Sequence, residues 1–192
     1  MLLSIPIKYW LGDSCLSLGI PWMVPGAIYE LDILLCPSDC VLEFGSGGST
    51  LFFARRCHEV YSYETDIDWH NSVRDILNRD TGVIASAVVY SYCPHVLGLE
   101  NAIYSRYGAN ATVLVVDTVH GYNRSVLLDA ALHHCRSLRL IVLDNYSSTE
   151  LFPLHHDWSD EQFSERLGGV WRSITFDDIH WHGSGTRLLY RL

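Results

Sequence analysis

The run Val41-Leu42-Glu43-Phe44-Gly45-Ser46-Gly47-Gly48-Ser49-Thr50 follows an apolar stretch with strand chemistry and opens a helical pattern. Glycines at such a junction let the chain turn tightly and let a ligand approach the backbone, and the N–H groups at a helix start offer a polar cradle. Glu64, with Thr65 after it, lies nineteen residues beyond Gly45 and closes the next apolar run. A carboxylate there can accept hydrogen bonds from both ribose hydroxyls of a bound nucleoside. A second group of acids ends two later runs: Asp117 after VLVV, and Asp144-Asn145 after LIVL. Two carboxylates and an amide oxygen are hard donors that suit magnesium. His120, three residues past Asp117, can take a proton from a hydroxyl near neutral pH. The same residue types also serve plain structure, since glycines make turns and Asp or Asn cap helices.

Such groups need a frame that brings strand ends together. Four apolar runs have strand chemistry: Cys40–Gly45, Glu59–Glu64, Val113–Asp117 and Leu138–Asn145, with a weaker fifth at Ala85–Tyr92. Helical patterns fall between them at Ser49–Cys57, Asp66–Arg79, Leu97–Tyr107 and Asn123–Cys135. In the last, Val126, Leu127, Ala130, Ala131 and His134 are expected to share the buried face. This alternation predicts an α/β fold with a doubly wound, mostly parallel sheet covered on both faces. After a short helix at Asp160–Leu167 the alternation breaks. Two strand-like runs, Trp171–Asp177 and Thr186–Leu192, flank Gly183-Ser184-Gly185 and predict an antiparallel pair. Residues 1–39 read as an N-terminal helical cover segment, including a helix at Ala27–Leu35, and residues 40–192 as the ligand-binding domain.

At 192 residues the chain has room for one domain. A net charge of -9, without any basic run, argues against nucleic acid as a partner. No stretch matches a bilayer span, and the apolar N-terminus lacks the basic flank and cleavage site of a leader, so no membrane partner is expected. The six cysteines are scattered without a C-x-x-C pair, which favours a reducing, cytoplasmic setting. Oligomeric state is left open.

The glycine turn departs from the dinucleotide pattern G-x-G-x-x-G, because Thr50 stands at the last position. Glu43 would repel a pyrophosphate but would compensate the sulfonium and ammonium of S-adenosylmethionine. Glu43-Phe44-Gly45-Ser46-Gly47-Gly48 resembles the first motif of class I S-adenosylmethionine-dependent methyltransferases, acidic-x-Gly-x-Gly. Glu64 matches their ribose-binding acid, and the closing antiparallel pair resembles their reversed last strand. The similarity runs from about Pro21 to the C-terminus. It departs at Ser49, where a third glycine often stands, and in lacking a clear acid after the third strand.

The resemblance implies a Rossmann-like, seven-stranded sheet with an antiparallel C-terminal strand. It also implies S-adenosylmethionine bound by Glu43, Gly45, Ser46, Gly47, Gly48, Ser49, Thr50, Glu64, Thr65 and Asp117. The second acid group resembles that of catechol-type and caffeoyl-CoA-type O-methyltransferases, which use a metal. That likeness implies Mg2+ held by Asp117, Asp144 and Asn145, with His120 where a general base, usually lysine, stands. Asp117 and His120 are then the catalytic pair, and the implied reaction is O-methylation of a small-molecule hydroxyl. An aminopropyltransferase, a non-catalytic nucleotide-binding Rossmann module and a nicotinamide-dependent oxidoreductase remain as alternatives. His155, His156, Asp157 and Trp158 are candidates for a substrate entrance, Trp22 and Tyr29 for a ligand cover, and Arg124 for a helix start or a contact to an acidic substrate. His133-His134 and His180-x-His182 are weaker metal candidates.

Overall fold

The computed structural model describes residues 12–118, 124–177 and 185–192. His120, His180, His182 and the Gly183-Ser184 part of the expected turn therefore lie outside the described residues.

Seven strands form one sheet: β1 (Cys40–Phe44), β2 (Glu59–Glu64), β3 (Ala87–Tyr92), β4 (Val113–Val116), β5 (Leu140–Asp144), β6 (Trp171–Phe176) and β7 (Thr186–Arg191). Their order is β3-β2-β1-β4-β5-β7-β6. The first five run parallel, and β7 enters antiparallel between β5 and β6. The order reverses between β1 and β4, so the ends of these strands open a crevice, the usual ligand position in such sheets.

Helices α1 (Gly12–Leu18), α2 (Pro25–Leu34), α3 (Gly48–Ala54) and α4 (Ile67–Leu77) pack on one face. Helices α5 (Val96–Tyr104), α6 (Arg106–Asn110), α7 (Arg124–His134) and α8 (Asp160–Leu167) pack on the other. Alternation along the central strands supplies both cores. Val41, Val113, Val115, Leu140 and Val142 meet Ile28, Leu31, Phe52 and Phe53. Leu42, Phe44, Leu114, Val116, Ile141 and Leu143 meet Leu99, Leu127, Leu128 and Ala131. The strands are near-continuously apolar because neither face is solvated.

Two helical expectations need correction. The stretch expected as a single helix at Leu97–Tyr107 breaks at Ser105, whose extended backbone ends α5 and whose Oγ accepts the Tyr107 N–H at 3.1 Å to start α6. In α7 the buried side chains are Leu127, Leu128, Ala131 and Leu132, while Val126 and His134 are exposed. The helix faces the sheet about a position away from the expected stripe because Arg124 and Ser125 are buried at its start.

The N-terminal residues are stitched to the sheet. Met23, Ile28 and Leu31 belong to the second core, and Val24 N–H donates to Thr186 Oγ1 at 3.4 Å. Among the described residues no helix is long and apolar enough to cross a membrane. None of the six cysteines is disulfide-bonded.

Candidate functional site

The glycine turn leaves β1 and passes directly over the end of β4. Gly45 has φ +90°, and a Cβ there would lie 2.0 Å from the Asp117 carbonyl oxygen, so neither the conformation nor the space admits a side chain. A Cβ on Gly48 would lie 2.1 Å from Ile20 O, which lets α1 and the chain after it close on α3. Gly47 differs: its nearest neighbour would be the Trp69 ring at 3.7 Å, an ordinary contact. The steric requirement therefore falls on Gly45 and Gly48.

Glu43 lies fully buried beneath this turn. Its Oε2 accepts from Ser62 Oγ at 2.5 Å and Thr50 Oγ1 at 2.6 Å, and Thr50 Oγ1 in turn accepts the Gly47 N–H at 3.2 Å. Glu43 thus braces the turn through Thr50. Burial pushes its carboxyl up to about 7, against the hydroxyls of Ser49, Ser62 and Thr50, which favour the charged form. Thr50, at the last position of the dinucleotide pattern, is a structural link here. Ser49 is buried beside it.

At the end of β2, Glu64 is buried and fully engaged. Oε2 accepts from Ser46 N–H at 3.0 Å and Ser46 Oγ at 2.7 Å; Oε1 accepts the Thr65 and Asp66 N–H groups at 2.7 and 2.9 Å. These donors fill the roughly four lone-pair positions of a carboxylate. Ser46 Oγ also meets Tyr90 OH at 2.7 Å, and Trp69 Nε1 donates to the Ser46 carbonyl at 2.8 Å. His70 stacks on Tyr90 with ring centroids 4.4 Å apart, behind the turn. Ser46 is therefore the residue through which the glycine turn, Glu64 and β3 are joined.

The second acid group is arranged around Arg124, which does begin a helix as expected but turns its guanidinium to the protein rather than to a substrate. Arg124, almost wholly buried at the first position of α7, extends its guanidinium between the ends of β4 and β5. Nε and Nη2 donate to the Thr118 carbonyl at 3.0 and 2.7 Å. Nη2 also pairs with Asp117 Oδ1 at 3.0 Å, and Nη1 donates to the Asp144 carbonyl at 2.6 Å and to Asn145 Oδ1 at 3.4 Å. Asp117 remains 28% exposed at the crevice. Burial pushes its carboxyl up against the opposing pull of Arg124.

The Mg2+ assignment does not fit this arrangement. The Asp144 side chain turns into the sheet, where Oδ1 accepts from Thr186 Oγ1 at 2.6 Å. Burial, with the Asp117 charge beside it, pushes its carboxyl up to about 8, and its main-chain carbonyl is already taken by Arg124. Asp117 and Asn145 already share a guanidinium. Among the described residues no group of three acidic, histidine or cysteine side chains is placed to hold a metal.

Other candidates disperse. His155 is buried and packs edge-on against Trp158 at 4.4 Å, so these two belong to packing beneath α8 rather than to an entrance. Burial pushes the His155 imidazole down. His133 lies on the outer side of α7 with Asp129 and Arg166, away from the crevice. Trp22 and Tyr29 are exposed on the N-terminal segment.

No protein-family model matches the chain, and no curated protein matches it. Solved structures do match in shape. Precorrin 8w decarboxylase from Methanobacterium thermoautotrophicum aligns over 98% of this chain and 99% of its own, at 15% identity and TM-score 0.57. A methyltransferase-like protein from Silicibacter pomeroyi aligns over 88% of this chain and 87% of its own, at 19% identity and TM-score 0.52. A Streptococcus pneumoniae protein, provisionally assigned as a tRNA (m1A22) methyltransferase and bound to S-adenosyl-L-methionine, aligns over 88% of this chain and 73% of its own, at 9% identity and TM-score 0.52. The strand order, the reversed β7 and these alignments define the Rossmann-like methyltransferase fold. At these identities the likeness is one of fold, and function has to be argued from the site.

Proposed function

We propose that this chain is an S-adenosylmethionine-dependent methyltransferase acting on a small molecule at a hydroxyl oxygen. The observation that carries the reading is the pair of buried acids, Glu43 and Glu64, at adjacent strand ends on either side of a turn that only glycine can make at Gly45. Buried carboxylates beside an open crevice disfavour a pyrophosphate and favour a cationic nucleoside. In this reading Glu64 meets the ribose, and Gly45 to Thr50 present the backbone to the amino acid moiety. Glu43 supplies negative charge from below the turn, and Asp117 faces the methyl group across the crevice. S-adenosylmethionine supplies an electrophilic methyl carbon; the chain's task is to align the acceptor oxygen and receive its proton.

His120 and Asp117 are the proposed proton acceptors, His120 on its sequence position alone. No step runs through a metal. The net charge of -9 favours a small acceptor over the tRNA named for the S. pneumoniae protein. The deciding experiment is calorimetric titration of S-adenosylhomocysteine, with NAD as the control, followed by methyl transfer assays on small hydroxylated compounds and on tRNA. Saturable S-adenosylhomocysteine binding without NAD binding is expected. NAD binding alone would overturn the ligand, and transfer to tRNA alone would overturn the acceptor class. Ligand binding with no acceptor of either kind would move the non-catalytic Rossmann reading forward.

A further inference from the structure

Four oxygens converge between the ends of β4 and β5: Asp117 Oδ1, the Thr118 and Asp144 carbonyls, and Asn145 Oδ1. They come from two different strand ends, and Asn145 adopts the left-handed backbone region, φ +54°, to contribute its share. A converging set of carboxylate, carbonyl and amide oxygens is the donor set of a hard cation. It is filled instead by a guanidinium whose side chain is 5% exposed.

We propose that Arg124 is the fixed cation of this crevice, seated where a divalent ion would have to sit and positioning Asp117 in its place. Three observations support the assignment. Every N–H-bearing nitrogen of the guanidinium is used, so the residue has no donor free for an acidic substrate. Its charge pairs with Asp117 on the side away from solvent, leaving the rest of that carboxylate at the crevice. It joins both loops through main-chain carbonyls, which a side-chain ion pair alone would not do. An arginine cannot be chelated or exchanged and stays charged at any working pH. Arg124 is thus a positioning residue, acting through Asp117, and this role rests on the methyl-transfer reading only for its catalytic meaning.

The test uses the full chain and Mn2+ as the probe, followed by the loss of the free-ion electron paramagnetic resonance signal. Calorimetry of S-adenosylhomocysteine is run in parallel, in Mg2+ and in chelator. Wild type is expected to take up no stoichiometric Mn2+, and its S-adenosylhomocysteine affinity is expected to agree within about twofold between the two conditions, the scatter of independent effects. Arg124→Ser empties the seat and is expected to gain one Mn2+ per chain, lost again when Asp117→Asn is added. One Mn2+ bound by wild type and abolished by Asp117→Asn would overturn the proposal. So would a folded Arg124→Ser that binds none. Should Arg124→Ser not fold, Arg124→Lys carries the test, since a retained charge still has to exclude Mn2+ although its ammonium reaches fewer acceptors. Uptake of Mn2+ by Arg124→Lys would count against the assignment. Absence of S-adenosylhomocysteine binding in both conditions, with wild type still refusing Mn2+, would sink the methyltransferase reading and leave the cation assignment standing.

Discussion

The two halves of the crevice hold their acids by different means. At the ends of β1 and β2, Glu43 and Glu64 are held by neutral donors: two hydroxyls for the first, three backbone N–H groups and one hydroxyl for the second. At the ends of β4 and β5 a single guanidinium does the holding, and only the Asp144 carboxyl is left out of it. Neutral donors bring no positive charge of their own, so a cation brought to the first half would favour the charged form of Glu43. The second half comes with its own. The acids on the two sides of the crevice therefore differ in how much of their charge is balanced within the chain.

The largest break in this comparison is Arg124→Met. It strands Asp117 beside two unpaired carbonyls, and loss of one partner of a buried pair costs about 3–5 kcal/mol. Chemical denaturation should show the loss, while a comparably small change would make Arg124 a surface-like contact. Next comes Gly45→Ala, which forces a Cβ against Asp117 O with φ +90°. Strain and overpacking together predict roughly 2–4 kcal/mol, read in the same denaturation series. Gly47→Ala, where the space is open, should change stability by less than about 0.5 kcal/mol.

Glu64→Ala sharpens the comparison at the neutral-donor half. Calorimetry should show S-adenosylhomocysteine bound more weakly by roughly 1–3 kcal/mol, because three backbone N–H groups and the ribose lose one acceptor together. Asp144→Asn tests the other half through pH rather than at one condition. The folded carboxyl sits at about 8, above its ordinary 3.8, so the folded chain keeps a proton that the unfolded chain releases. This group's contribution therefore falls as pH rises from about 4 to about 8. The asparagine variant keeps an acceptor for Thr186, should match wild type below about pH 4, and should show a flatter decline in melting temperature toward pH 8. An unchanged pH profile would mean that Asp144 is ionised in the fold.

Much of the frame was legible because periodicity and punctuation are local. Apolar runs marked the seven strands, Asp66 announced α4, and the glycine turn with Glu64 was visible from spacing alone. What escaped depended on direction and on distance. Asp144 was correctly placed at a strand end, but its side chain points to Thr186, 42 residues away, on a strand that enters the sheet from the opposite direction. Spacing could not foresee that. Arg124 was legible as a helix start, but not its reach, because its partners Asp117, Thr118 and Asp144 end two strands that spacing does not join. The break at Ser105 was readable in principle, because a serine is well suited to cap a new helix at Arg106.

Glu64 imposes a further condition on whatever binds. Because its acceptor positions are taken, a ribose diol cannot simply add to it; it has to exchange with Ser46, whose hydroxyl has Tyr90 as a second partner. Such an exchange trades one serine hydrogen bond for those of the diol, so the diol's net contribution is the modest one that Glu64→Ala would remove. What it adds, on the proposed reading, is a filter: a ligand without those hydroxyls leaves Ser46 in place.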